Sequence, residues 1–83
     1  MKKVIIYSTR ICPYCVRAKN FFNKKNIAYT EIMIDQNPSL IKEMIEKSGR
    51  QSVPQIFIDD YHVGGFDDLI EHDMEGKLED LLT

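Results

Sequence analysis

The chain alternates short β-branched runs with segments whose apolar residues recur every three or four positions. Residues 3–7, around Val4-Ile5-Ile6-Tyr7, predict a buried strand ended by the turn-like Ser8-Thr9-Arg10. Residues 13–25 predict a helix: Cys15, Ala18, Phe21 and Phe22 make one stripe, lysines close the last turn, and Asn26 suits a left-handed cap. Tyr-Thr-Glu-Ile-Met-Ile at 29–34 predicts a second strand. Asn37 then caps a helix with Pro38 in its first turn, with Leu40, Ile41, Met44 and Ile45 as its apolar stripe and Ser48-Gly49 as its stop. Such a strand–helix–strand unit should be parallel and right-handed. Residues 55–58 and 61–63 predict an antiparallel hairpin turned by Asp59-Asp60. Gly64-Gly65 end it, and Asp67 or Asp68 caps a last helix with Leu69, Ile70 and Met74 inward. Gly76 interrupts that helix, and Leu78, Leu81 and Leu82 extend the same face. The order β-α-β-α-β-β-α implies an α/β fold, a small mixed sheet flanked by three helices, as one domain over residues 1–83.

Composition narrows the class. At 83 residues, 43% hydrophobic and 29% charged, the chain is globular and near the lower size limit for a self-sufficient core. Only four apolar residues follow Met1-Lys2-Lys3 before Ser8 and Thr9, too few for a secretory signal, and no stretch reaches membrane-spanning length. The expectation is a cytoplasmic protein without a membrane partner. The net charge of −2 is unevenly spread: residues 1–26 carry seven basic groups and no acid, while 57–83 carry nine acids and one lysine. Either the two segments compensate each other in the fold, or a basic rim attracts an anionic thiol. An acidic chain whose lysines lack interleaved aromatics gives no sign of nucleic-acid binding.

The only two cysteines stand in Cys12-Pro13-Tyr14-Cys15, between a strand and a helix, where a Cys-x-x-Cys pair reads as a redox site. Pro13 fits the first helical position, which makes Cys12 the cap. Free amides and the positive end of the helix dipole there favour an anion, so the Cys12 thiol should ionise below the free value of about 8.5. Cys15, one turn deeper, should be shielded. Cys12 is therefore the expected nucleophile and Cys15 the resolving thiol. A structural disulfide, half of a zinc site and an incidental pair are the competing readings. Structural disulfides are rare in the cytoplasm, and neither a second cysteine pair nor a spaced histidine pair completes a metal site around His62 or His72.

Two further motifs lie downstream: Ser52-Val53-Pro54 before a strand, and Gly64-Gly65-Phe66-Asp67-Asp68-Leu69 at a helix start. In this order and spacing with Cys12-Pro13-Tyr14-Cys15, the sequence resembles a glutaredoxin of the short dithiol type over nearly its whole length. The resemblance implies the thioredoxin fold with sheet order 2-1-3-4. It implies a cis bond between Val53 and Pro54, which turns the Val53 backbone toward a peptide-like ligand added as a strand. It implies a glutathione site in which Tyr14 lies against the tripeptide, the Asp67 amide holds the γ-glutamyl carboxylate and the Asp68 carboxylate holds its amino group. Gly65 and Phe66 belong to the same motif. Many glutaredoxins carry a lysine three residues before the first cysteine. Here that residue is Thr9, with Arg10 beside it, so Arg50 and Gln51 become candidates for the glycine carboxylate.

The activity implied is a glutathione-dependent thiol–disulfide oxidoreductase that reduces protein–glutathione mixed disulfides and protein disulfides. Glutathione is reductant and co-substrate, no cofactor or metal is tightly held, and the protein acts as a monomer. Three rivals stay open: a thioredoxin-like redoxin reduced by a flavoprotein, an iron–sulfur carrier in which two chains each donate Cys12, and a non-catalytic binding module.

Overall fold

The computed structural model describes residues 2–83. Its elements are β1 (Val4–Ser8), α1 (Pro13–Lys24), β2 (Thr30–Met33), α2 (Pro38–Ser48), β3 (Gln55–Ile58), β4 (Tyr61–Gly64), α3 (Phe66–Met74) and α4 (Lys77–Leu82). The strands form one mixed sheet in the order β2-β1-β3-β4. β1 runs parallel to β2 and antiparallel to β3, and β3 and β4 form the hairpin. This is the predicted thioredoxin topology.

Strand alternation divides the core into two layers. Val4, Ile6, Ile56 and Ile58 face one side, where Ala18 and Phe22 of α1, Leu69 of α3 and Leu78 of α4 cover them. Tyr7 and Phe57 face the other, against Met44 of α2 and Ile34. Burying Phe22 completely is worth roughly 2–3 kcal/mol. The polar groups that the sheet buries are all satisfied. Tyr7 donates to Glu43 at 2.6 Å, and Ser8 donates to Glu31, which Lys19 also holds at 2.8 Å. Among the described residues, no buried side-chain nitrogen or oxygen lacks a partner.

Helix boundaries follow the local chemistry with three corrections. Asn37 accepts the Leu40 N–H at 3.3 Å ahead of Pro38, and Gly49 ends α2 at φ 73°, as expected. Neither Asp67 nor Asp68 caps α3. Gly65 is the cap residue, and Asp68 reaches back to accept its N–H at 2.9 Å. The last helix is split: the chain turns at Gly76, φ 78°, and α4 begins anew. Met74 points outward, 81% exposed, because it stands about 140° around the helix from Leu69, and Leu78 takes the core position instead. Ile41, 37% exposed, is the solvent margin of the α2 stripe.

Candidate active site

Cys12 has extended backbone angles, φ −153° and ψ 100°, and Pro13 opens α1 behind it. The Cys12 sulfur accepts the Cys15 N–H at 3.1 Å. It also lies 3.8 Å from the Val53 carbonyl oxygen. The two cysteines are joined as a disulfide, with Cα atoms 5.2 Å apart. Cys15 is fully buried, whereas Cys12 keeps 9% of its surface. Ile11 and Tyr14 beside it are open, at 93% and 52%. Of the two, only Cys12 keeps surface open to solvent, and a helix-start amide is aimed at its sulfur, an arrangement that favours negative charge there.

A groove of about 250 Å³ adjoins this sulfur. Tyr14, Ser52, Val53, Pro54, Gly65, Phe66, Asp67 and Asp68 line it. Seven of the sequence-derived site residues therefore converge on one surface. Ser52, which the sequence offered only as part of a motif, is added to them. The Val53–Pro54 bond is cis. The Tyr14 and Phe66 rings stand 6.2 Å apart across the groove, and the Arg17 guanidinium lies 5.1 Å from the Tyr14 centroid.

Two candidates stand differently. Gln51 is exposed and does not line the groove. Arg50 lies off its walls but donates to Asp68 Oδ2 at 2.9 Å. That oxygen also accepts the Gly65 N–H, and this bond first, then the guanidinium, holds the Asp68 carboxyl below its ordinary range. Arg10, the neighbour of Thr9, is turned toward Asp35, which its backbone N–H meets at 3.0 Å. A cavity of about 400 Å³ between Lys25, Ile27, Leu78 and Leu82 shares no residue with the cysteine groove. The cysteine groove differs from that cavity in setting Ser52, Asp67 and Asp68 near the Cys12 sulfur.

The histidines stand apart from the cysteines. His62 stacks on Phe57 and contacts Gln55 at 2.7 Å, and burial lowers its pKa. His72 contacts Tyr61 and the Asp68 carbonyl. Among the described residues, no three His, Cys, Asp or Glu side chains gather as metal ligands would. No helix there is long and apolar enough to cross a membrane.

Known proteins resemble this chain throughout. The glutaredoxin family model matches residues 4–63. Glutaredoxin 3 of Escherichia coli K12 is 49% identical over 82 residues, which cover 99% of each chain. A Pseudomonas aeruginosa glutaredoxin is 46% identical over 83 residues, covering 100% of this chain and 99% of its own. Among solved structures, a buckwheat glutaredoxin–glutathione complex superposes with a TM-score of 0.88 at 30% identity, covering 98% of this chain and 76% of that one. The solution structure of glutaredoxin from Brucella melitensis gives 0.86 at 50% identity, with 99% and 89% covered.

Proposed function

The chain belongs to the glutaredoxin family and is a thiol–disulfide oxidoreductase, and from that premise we propose that glutathione is its reductant and co-substrate. The observation that carries this reading is the groove itself. It sets a backbone edge at Val53, an anion-seeking helix start at Gly65–Asp68 and an aromatic wall at Tyr14 and Phe66 beside one accessible sulfur. A tripeptide with a thiol in its middle and a zwitterion at one end matches that sequence of groups.

In this reading the cysteinyl backbone pairs with Val53 next to Pro54 as an added strand. The Asp67 N–H takes the γ-glutamyl carboxylate and the Asp68 carboxylate takes the ammonium, with Gly65 allowing close approach. The incoming ammonium competes with the Arg50 guanidinium for Asp68 Oδ2. Displaced, Arg50 turns with Gln51 to the glycine carboxylate.

The chemistry is two exchanges. The Cys12 thiolate attacks the glutathione sulfur of a protein–glutathione disulfide. The new bond joins Cys12 to glutathione, and the protein sulfur leaves as a thiolate that takes a proton from water. A second glutathione thiolate then attacks the Cys12-bound glutathione sulfur, releasing glutathione disulfide and the Cys12 thiolate. With a protein disulfide as substrate, Cys15 displaces the protein from Cys12. The Cys12–Cys15 disulfide that results is reduced by two glutathiones. We place this activity in the cytoplasm, in a monomer.

A coupled assay with glutathione reductase tests it. Cys15→Ser is expected to keep deglutathionylation and lose most reduction of protein disulfides, while Cys12→Ser loses both. Equal losses from the two variants, or turnover only with a flavoprotein reductant, contradict the reading.

A further inference from the structure

Phe66 borders a second groove, of about 320 Å³, formed with Arg17, Asn20, Phe21 and Lys24 of α1. Tyr14, Arg17, Phe21 and Lys24 follow helical spacing, so they form one row that starts beside Cys12. Phe21 and Phe66 give this groove an apolar floor, and Asn20 adds an amide. One of its two cations, Arg17, rests against the Tyr14 ring. Lys19 and Lys25 of the same stretch pair with Glu31 and Asp73, but among the described residues Arg17 and Lys24 have no ion-pair partner. α1 itself contains no acid that could supply one.

We propose that this second groove is a subsite for the protein being reduced, and that it takes an extended acidic segment flanking the client's reactive cysteine. A client whose sulfur sits at Cys12 must lay its neighbouring residues on adjoining surface, and the row from Tyr14 to Lys24 leads there directly. Arg17 and Lys24 lie about 7 and 18 Å along the helix axis from Cys12. An extended chain at about 3.3 Å per residue covers those distances in roughly two and five residues. The preferred client thus carries carboxylates about two and five positions from its cysteine, with an apolar side chain between them. The proposal rests on the deglutathionylation reading for the position of the client sulfur.

Two glutathionylated peptides test it, identical except for glutamate or glutamine at those two positions. The quantity compared is the ratio of their kcat/KM values within each protein. Two exposed ion pairs give the wild type a roughly 3- to 10-fold preference for the acidic peptide. High salt and the combined Arg17→Gln and Lys24→Gln variant bring the ratio toward one. Lys47→Gln on α2 leaves it in place, and the combined Arg17→Glu and Lys24→Glu variant turns the preference toward a third peptide with lysine at both positions. Equal use of both peptides by the wild type, or a preference that survives the combined variant, overturns the proposal and leaves deglutathionylation standing. Failure to turn over either peptide overturns both. Concentration-dependent dimers that the combined variant abolishes would assign the groove to a second copy's acidic surface and overturn it too.

Discussion

Truncating Asp68 perturbs fold and chemistry at once, by separable amounts. Its Oδ2 accepts the Gly65 N–H at the start of α3 and the Arg50 guanidinium, both at 2.9 Å. Asp68→Ala removes a helix-start hydrogen bond worth about 1 kcal/mol. It also removes an ion pair whose side chains are 48% and 38% exposed, which solvent screening holds to about 0–1 kcal/mol. The sum, about 1–2 kcal/mol, lowers Tm by roughly 4–15 °C in a domain of this size. The pH dependence has a definite sign. The Gly65 amide and then Arg50 depress the folded-state pKa below its ordinary 3.8. The electrostatic part of the stabilisation is therefore present above pH 3.8 and is lost as pH falls through the lower folded value. Urea unfolding of wild type and Asp68→Ala, followed by circular dichroism, should show the full gap at pH 7 and a shrinking gap below pH 3.8. In the coupled assay the same variant should raise KM for glutathione about tenfold, since one carboxylate–ammonium contact is lost. An unchanged stability at pH 7, or a gap that stays constant into acid, refutes the reasoning about the fold. An unchanged KM refutes the assignment of Asp68 to the ligand.

Other outcomes follow from the core and the turns. Burial, and then the hydrogen bond to Glu43, pushes the Tyr7 pKa up to about 12. A raised folded value means that the contribution of Tyr7 is complete below pH 10 and lost as pH rises toward 12. Absorbance titration at 295 nm should show one late tyrosine step that Tyr7→Phe abolishes, and an unaltered curve contradicts this. Gly64 has φ 117°, and a Cβ there collides with the Asp68 carboxylate, whereas Gly49 at φ 73° has open space. Gly64→Ala should cost about 1–3 kcal/mol in denaturant unfolding and more than Gly49→Ala. The reverse order would show that packing at Asp68 is slack.

The strands and the position of Cys12 at a helix start were legible because local chemistry specified them, whereas the groove residues came from motifs shared with glutaredoxins. Pro13 behind Cys12 and Pro38 behind Asn37 announce helix starts, and both helices begin there. The two-sided burial of β3 matches its apolar run Ile56-Phe57-Ile58. What the sequence hid is tertiary. The partners Tyr7 and Glu43 are 36 positions apart, Ser8 and Glu31 are 23 apart, and Arg50 and Asp68 are 18 apart. No periodicity links such residues. Met74 was misjudged because being apolar near a helix end does not fix its angle around the axis. Asp67 and Asp68 resemble caps, yet Gly65 takes that place and lets Asp68 bond backward. Nothing local in α1 tells Arg17 and Lys24 from its other cations; only Phe66, from α3, sets a groove beside them.

The central claim is that the start of α1 makes Cys12, and not Cys15, the sulfur that ionises early. Thiolate absorbance at 240 nm, followed against pH on the reduced protein and on each single Cys→Ser variant, tests it directly. The account predicts a step below the free-thiol value of about 8.5 that remains in Cys15→Ser and disappears in Cys12→Ser. A step at or above that value, or an early step that persists without Cys12, contradicts it.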